Sequence, residues 1–505
     1  MQVERPNILL ITLDQFRSDC LSCAGHPVVQ TPHLDRLAGQ GVRFARHYSQ
    51  AAPCSPGRAA LYTGTYQMNN RVVGNGTPLD SRFDNLALAA RRAGYDPVLF
   101  GYTDQGIDPR LATGPDDPRL DTYEGVLPGF DPVLHLPTEM VPWVEWLTEL
   151  GYHDLPADPD ALLATEPERP VEHSVSAFLT DHLVAWIERQ SQPWFAHASF
   201  LRPHPPYAGA GEWSTAYDPD AVPSPIPAGD DRHGLHDLLL ALPVTAAPTE
   251  RRQMQALQAQ YYGMVGHVDE QVGRLWDTLE RLGQWDDTVV VVVADHGEQL
   301  GDQGLIEKAG FFESSYRVVG LWRDPRHPQG HGSVVDHFTE NIDVFPTLCE
   351  TMGIDVPAQC DGYPLTPFLR AESPDRWRDA AYYEWDWRDA VLPFHEFPWP
   401  WDRRPERYHL AVRRSDERAY VHFGDGSWRC YDLAADPTWR TEIDDPAVVL
   451  AEAQAMLDWR STHQDRTMTG LILRDGGIGR FPPPHPVLSQ LDALAADGAG
   501  HGRAG

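Results

Sequence analysis

Two uninterrupted apolar runs, each ending abruptly in a carboxylate, constrain this chain more than any other feature of its sequence. Asn7 to Leu13 reads NILLITL and stops at Asp14, and Thr288 to Ala294 reads TVVVVVA and stops at Asp295-His296-Gly297-Glu298. Runs of this length without polar alternation suit strands buried on both faces, the environment of a parallel sheet covered by helices. Before the second run, Val265, Val268, Val272, Leu275, Leu279 and Leu282 recur at helical spacing and stop at Gly283, so helix, cap and strand follow in order. This is an α/β crossover unit. In open α/β sheets ligands bind beyond the carboxyl ends of the strands, so Asp14 and Asp295-His296 can converge although more than half the chain separates them.

At 505 residues the chain exceeds what one hydrophobic core supports. We expect an α/β domain over residues 1–375, in which 115–170, rich in Pro, Asp and Trp, is an irregular insertion suited to a lid or subunit contact. Short strand-like pieces (AAYYEW, YHLAVRR, RAYVHF, WRCYDL) and a helix from Ala447 to about Arg460 then predict a smaller α+β domain over 376–480. Residues 481–505, rich in Pro, Ala and Gly, read as an extended or disordered tail.

The formal charge of −32, from 41 basic and 73 acidic residues, argues against nucleic acid and anionic membrane as partners. An anionic substrate would therefore need positive charge concentrated locally. Six cysteines without paired metal spacing indicate neither a disulfide framework nor a structural zinc site. The N-terminal apolar run is too short for a signal peptide and no stretch is long enough to span a membrane, so a cytoplasmic location is expected. Of the basic residues only Lys308 is lysine, the rest being arginine. A lysine retained in such a background suggests a task that needs a compact point charge with transferable protons.

Cys54-Ser55-Pro56-Gly57-Arg58 fits C-x-P-x-R and continues through Leu61 to Thr63-Gly64. Alone, Cys54 also reads as a small buried apolar residue, and an isolated Asp295-His296 pair more readily as a helix cap or a histidine satisfied in a turn than as a metal site. Together with Asp14-Gln15, Pro203-His204-Pro205-Pro206, DHGEQLGDQGLIEK and CYDLAADP, the motif resembles the signature of the sulfatases and the related phosphonate monoester hydrolases of the alkaline phosphatase superfamily. The resemblance spans nearly the whole chain. It implies a large, mostly parallel mixed sheet sandwiched by helices, with a smaller C-terminal α+β domain. It also implies conversion of Cys54 by a maturation enzyme to formylglycine, whose hydrate supplies both a nucleophile and a second hydroxyl that later expels the product. Asp14, Gln15, Asp295 and His296, with the modified Cys54, would hold one divalent metal ion, Mn²⁺ or Ca²⁺ suiting such oxygen and nitrogen donors. Arg58 would hold the diol and the nearby carboxylates, and His204 and Lys308 would contact the ester oxygens and assist the leaving group.

Sulfatases acting on simple sulfate esters carry a second lysine where this chain reads Gly101-Tyr102-Thr103-Asp104. Tyr102 in that place, Gln15 where many sulfatases have aspartate, Asn75 in MNNRVVGNGTPLD and the segment YYEWDWRDA resemble the phosphonate monoester hydrolase and phosphodiesterase branch. The substrate would be a small anionic ester contacted by Asn75, Tyr102 and Asp104, with sulfate monoesters as secondary substrates. Asp104 departs from that branch, because a carboxylate there repels an anionic ester unless paired or protonated. A second reading is an arylsulfatase or alkyl sulfatase with an aromatic pocket drawn from Trp143, Trp146 or Phe394 to Trp401. A third is a noncatalytic binding protein with Cys54 unmodified. The resemblance and the C-terminal arm together imply a homotetramer or homodimer.

Overall fold

The computed structural model describes residues 5–388, 405–464 and 471–480. The first apolar run forms β1 (Asn7–Leu13) and the second β7 (Thr288–Val293), and every residue of both is buried. They lie side by side and parallel, with Thr12 opposite Val293. Around them run β2 (Val42–Tyr48), β4 (Val98–Gly101), β5 (Asp131–His135), β6 (Phe195–Phe200), β8 (Gly320–Arg323) and β9 (Ser333–Glu340). The eight-stranded order is β5-β4-β6-β1-β7-β8-β2-β9, and β8 is antiparallel to both of its neighbours.

The pleat explains why β1 shows no polar alternation. Leu9, Ile11 and Leu13 face helices Val175–Ile187 and Arg251–Arg281, whereas Ile8 and Leu10 face helices Cys54–Thr63, Leu86–Arg92 and Val344–Met352. Each such fully buried Leu or Ile is worth about 1.5–3 kcal/mol over an exposed one. The long helix ends as its sequence predicts, with Leu282 at the cap and Gly283 at a φ of 68°. It starts earlier than its valines suggest, because Gln255 and Gln258 are buried on its apolar face.

The C-terminal pieces form β10 (Ala380–Asp386), β11 (His409–Ser415), β12 (Arg418–Phe423) and β13 (Trp428–Asp432), covered by helix Pro446–Thr462. A two-residue strand from the first half of the chain, β3 (Ala51–Ala52), completes this sheet by pairing parallel to β10. The sheet edge thereby sits beside Cys54. Within 115–170 there is more regular structure than the composition suggests, since Pro142 and Pro159 occupy first turns of helices Val141–Glu149 and Pro159–Leu163. The expected tail at 481–505 and the Phe394 to Trp401 stretch lie outside the described residues. Among the described residues no helix is long and apolar enough to cross a membrane.

Candidate active site

Four neighbouring strands, β4, β6, β1 and β7, end at one edge of the large sheet, and each hands a chemically active residue to the same place. Beyond β1 come Asp14 and Gln15, beyond β7 Asp295 and His296, beyond β4 Tyr102 and Asp104, and beyond β6 the loop carrying His204. Helix Cys54–Thr63 enters from the β3 side with Cys54 as its first residue. Its close approach requires Gly57, where a Cβ would stand 2.5 Å from the Asp295 carbonyl oxygen.

Asp14, Cys54, Asp295 and His296 are all buried and present one ligand atom each within 4.8 Å of one another. His296 Nδ1 lies 3.1 Å from the Gly297 carbonyl, which places the proton there and leaves the Nε2 lone pair facing Cys54 Sγ at 3.2 Å and Asp14 Oδ1 at 3.8 Å. Asp295 Oδ1 accepts from the Gln15 and His296 backbone N–H groups, and its Oδ2 from Arg58 Nε. Asp14 Oδ2 accepts from Arg58 Nη2 at 2.9 Å and from the Tyr102 hydroxyl at 2.6 Å, while Oδ1 has no partner.

Those facts test whether a divalent cation fits. Arg58, wholly buried, lies over the Tyr102 ring at 4.3 Å and is a single positive charge between two carboxylates. Burial would raise the Asp14 carboxyl, yet His204, Arg58, His296 and Lys308 hold it well below the usual range, so it is an anion. An ionised, buried carboxylate with one oxygen left unpaired near an imidazole lone pair is a donor set that suits a cation. The residues fit a metal ion with oxygen and nitrogen ligands.

The fifth expected ligand, Gln15, is held in one orientation. Its amide nitrogen donates to Glu298 and to Glu307, so its carbonyl oxygen is the end that turns to Lys308, accepting from Nζ at 2.9 Å. Glu298 is itself fixed by Tyr207 and by the backbone of Leu300 and Glu307. Burial and then Glu307 push the Glu298 carboxyl up to about 7.

Lys308 Nζ lies 2.9 Å from His204 Nε2, while His204 Nδ1 is tied to the Pro205 carbonyl. Burial would lower the Lys308 ammonium, but Cys54, Glu307, Asp14 and Asp295 raise it. Burial and then Lys308 lower His204, so the lysine carries the proton and the imidazole accepts from it. Burial and Asp14 hold the Cys54 thiol far above its usual range, so as cysteine it is a poor nucleophile.

Asn75 Oδ1 accepts from the Ser55 backbone N–H, fixing the first turn of the Cys54 helix, and Asn75 also lines the cavity. Asp104 stands 3.4 Å from Arg58 Nε, and burial, opposed by Arg58, pushes its carboxyl up to about 8. It is therefore largely neutral at neutral pH, which removes the repulsion that its place in the sequence suggests. The two tryptophans of the aromatic-pocket reading do not line the cavity. Trp143 is fully buried with Nε1 bonded to the His173 carbonyl, and Trp146 packs on Phe178. Their spacing places both on the core side of helix Val141–Glu149, and this corrects that expectation.

The structure thus brings Asp14, Gln15, Cys54, Arg58, Asn75, Tyr102, Asp104, His204, Asp295, His296 and Lys308 into one cluster. Sequence reasoning missed Ser199, whose hydroxyl accepts from Arg58 Nη1 at 2.7 Å, and the carboxylates Glu298 and Glu307 that aim Gln15. Ser199 could have been found from the apolar run FAHASF ahead of Pro203-His204, and both glutamates lie inside DHGEQLGDQGLIEK.

The sulfatase family model matches residues 6–354, and the model described as N-sulphoglucosamine sulphohydrolase, C-terminal, matches 301–460. The chain is similar to the multifunctional alkaline phosphatase superfamily protein PehA of Trinickia caryophylli, at 34% identity over 92% of this chain and 97% of that protein. Among solved structures it is similar to the phosphonate monoester hydrolase of Agrobacterium radiobacter, with 40% identity, coverage of 95% and 100%, and a TM-score of 0.87. The phosphonate monoester hydrolase from Silicibacter pomeroyi follows with 32% identity, coverage of 95% and 99%, and a TM-score of 0.83.

Proposed function

The chain belongs to the sulfatase family and is a hydrolase acting on esters, and from that premise we propose that it cleaves phosphonate monoesters and phosphodiesters, with sulfate monoesters as secondary substrates. The observation that carries this reading is the meeting of the buried Asp14, Cys54, Asp295 and His296 with the Lys308–His204 pair in one cavity. Similarity to two phosphonate monoester hydrolases supports the choice of ester. So does Tyr102, whose hydroxyl serves Asp14 where simple sulfatases would place a second lysine.

Asp14, Gln15, Asp295, His296 and the oxidised Cys54 would hold a divalent ion, Mn²⁺ or Ca²⁺, which when bound lowers the pKa of the hydrated aldehyde and neutralises charge on the ester. Maturation replaces the Cys54 thiol with an aldehyde through an external enzyme and oxidant. One hydroxyl of the hydrate then gives up its proton to solvent and attacks phosphorus, an oxygen–phosphorus bond forms, and the bond to the leaving oxygen breaks. Lys308 and His204 stabilise that oxygen and supply its proton. Loss of the proton from the second hydroxyl re-forms the aldehyde, breaks its bond to the bridging oxygen and releases the acid. Arg58, paired with both carboxylates, helps keep Asp14 ionised and holds Asp14 and Asp295 in place throughout.

Steady-state hydrolysis of p-nitrophenyl phenylphosphonate, bis(p-nitrophenyl) phosphate and p-nitrophenyl sulfate tests the assignment. Phosphonate or diester turnover exceeding sulfate turnover is expected. Dominant sulfate turnover would move the enzyme to the arylsulfatases or alkyl sulfatases. No turnover, with Cys54 unmodified in a host that matures such enzymes, would leave a noncatalytic binding protein.

A further inference from the structure

The cavity that holds Cys54, His204 and Lys308 is also walled by residues that the reaction leaves unused. Leu136, Met140, Leu163, Val175 and Leu179 line it, each no more than 5% exposed. They come from the segment after β5, from the end of helix Pro159–Leu163 and from the first turns of helix Val175–Ile187. Among them stands Ser176, 2% exposed, whose hydroxyl has no hydrogen-bond partner. A buried hydroxyl left unpaired is costly, and a ligand atom that pairs with it recovers the loss. Of the two carboxylates at this wall, Glu124 is taken up by the Thr138 backbone N–H and hydroxyl, and Asp160 is exposed in the first turn of helix Pro159–Leu163. No cation lies among these residues, so a second anionic group has nothing to pair with there.

We propose that Leu136, Met140, Leu163, Val175, Leu179 and Ser176 form a subsite for an uncharged organic substituent of the ester, apolar along its length and carrying one ether or hydroxyl oxygen for Ser176. The inference rests on the reading of the cavity as an ester hydrolase site and adds the class of group that the site selects. Either the phosphorus-bound substituent or the leaving group can supply that chemistry.

The experiment measures kcat/KM on the metal-loaded, matured enzyme in two arms. In the first, p-nitrophenolate is the constant leaving group and the phosphorus-bound alkyl chain lengthens one methylene at a time. In the second, the phosphorus-bound group is constant and the para-alkyl chain of the leaving phenol lengthens at matched acidity. A rise of roughly fourfold per methylene until the wall is filled is expected in one arm, and the arm in which it occurs names the source. Ser176→Ala is expected to lower kcat/KM roughly threefold to tenfold for substrates with a chain oxygen, through KM, while alkyl congeners stay within about twofold. Turnover without chain-length dependence in either arm would overturn the subsite and leave the ester hydrolase reading standing. An equal effect of Ser176→Ala on both substrate types would overturn the role of its hydroxyl. Absence of turnover on every ester, the shortest included, would instead sink the reading on which the proposal rests.

Discussion

Asp104 shows how burial changes what a residue means. As a formal charge it opposes an anionic substrate, yet burial outweighs Arg58 and pushes its carboxyl up to about 8, so at neutral pH it can donate a hydrogen bond to a nonbridging oxygen. As pH rises through that value the proton is lost and an anion faces an anion. The kcat/KM profile should therefore fall on its alkaline side with an apparent pKa near 8. Asp104→Asn, neutral at every pH, should keep its kcat/KM through that range, and an unchanged alkaline limb in the variant would assign the limb elsewhere. At this scale the sequence was legible where chemistry coincided with pattern. Asp14 and Asp295-His296 end apolar runs, and Lys308 is the single lysine. The clamp of Glu298 and Glu307 on Gln15 was not legible, because a carboxylate that aims an amide is indistinguishable in sequence from a solvated one.

At the scale of elements, the parallel order of β6, β1 and β7 follows from two runs that are buried on both faces, and it places their carboxyl ends together. Much of the site was readable for that reason. The two-residue β3 was not, since Ala51–Ala52 is too short to carry strand periodicity. Its consequence is large, for it seats the Cys54 helix between both sheets. A Cβ at Gly57 would meet the Asp295 carbonyl oxygen at 2.5 Å and that of Ala51 at 3.0 Å. Gly57→Ala should therefore shift the helix start and lower kcat/KM roughly a hundredfold, the order expected of an ångström-scale misplacement. It should lower the thermal midpoint as well, and wild-type turnover by Gly57→Ala would refute this packing constraint.

On the scale of the whole molecule, the second sheet is bound to the first through more than β3. Tyr383 of β10 stacks on Tyr316 at 4.0 Å, the Tyr382 backbone N–H of β10 donates to Glu340 at the end of β9, and Arg378 pairs with Asp343 and Glu340. Burying these groups together couples the two cores, so calorimetry of the full chain should show one cooperative transition. Two well-separated transitions would show that the sheets unfold independently. The α/β crossover unit ending in β7 and the four C-terminal strands were legible from hydrophobic pattern. The interlock was not, because it depends on aromatic and charged groups whose partners are distant in sequence.

Ester hydrolysis by this chain is proposed to run through an oxidised Cys54 held against Asp14, Asp295 and His296. The most direct test is mass spectrometry of the Cys54 peptide across preparations of graded maturation, each assayed for turnover of p-nitrophenyl phenylphosphonate. Turnover is predicted to rise in proportion to the fraction of that peptide lighter by about 18 Da, the mass change from cysteine to formylglycine. Full turnover in material whose Cys54 peptide retains its thiol mass would contradict a role for oxidised Cys54.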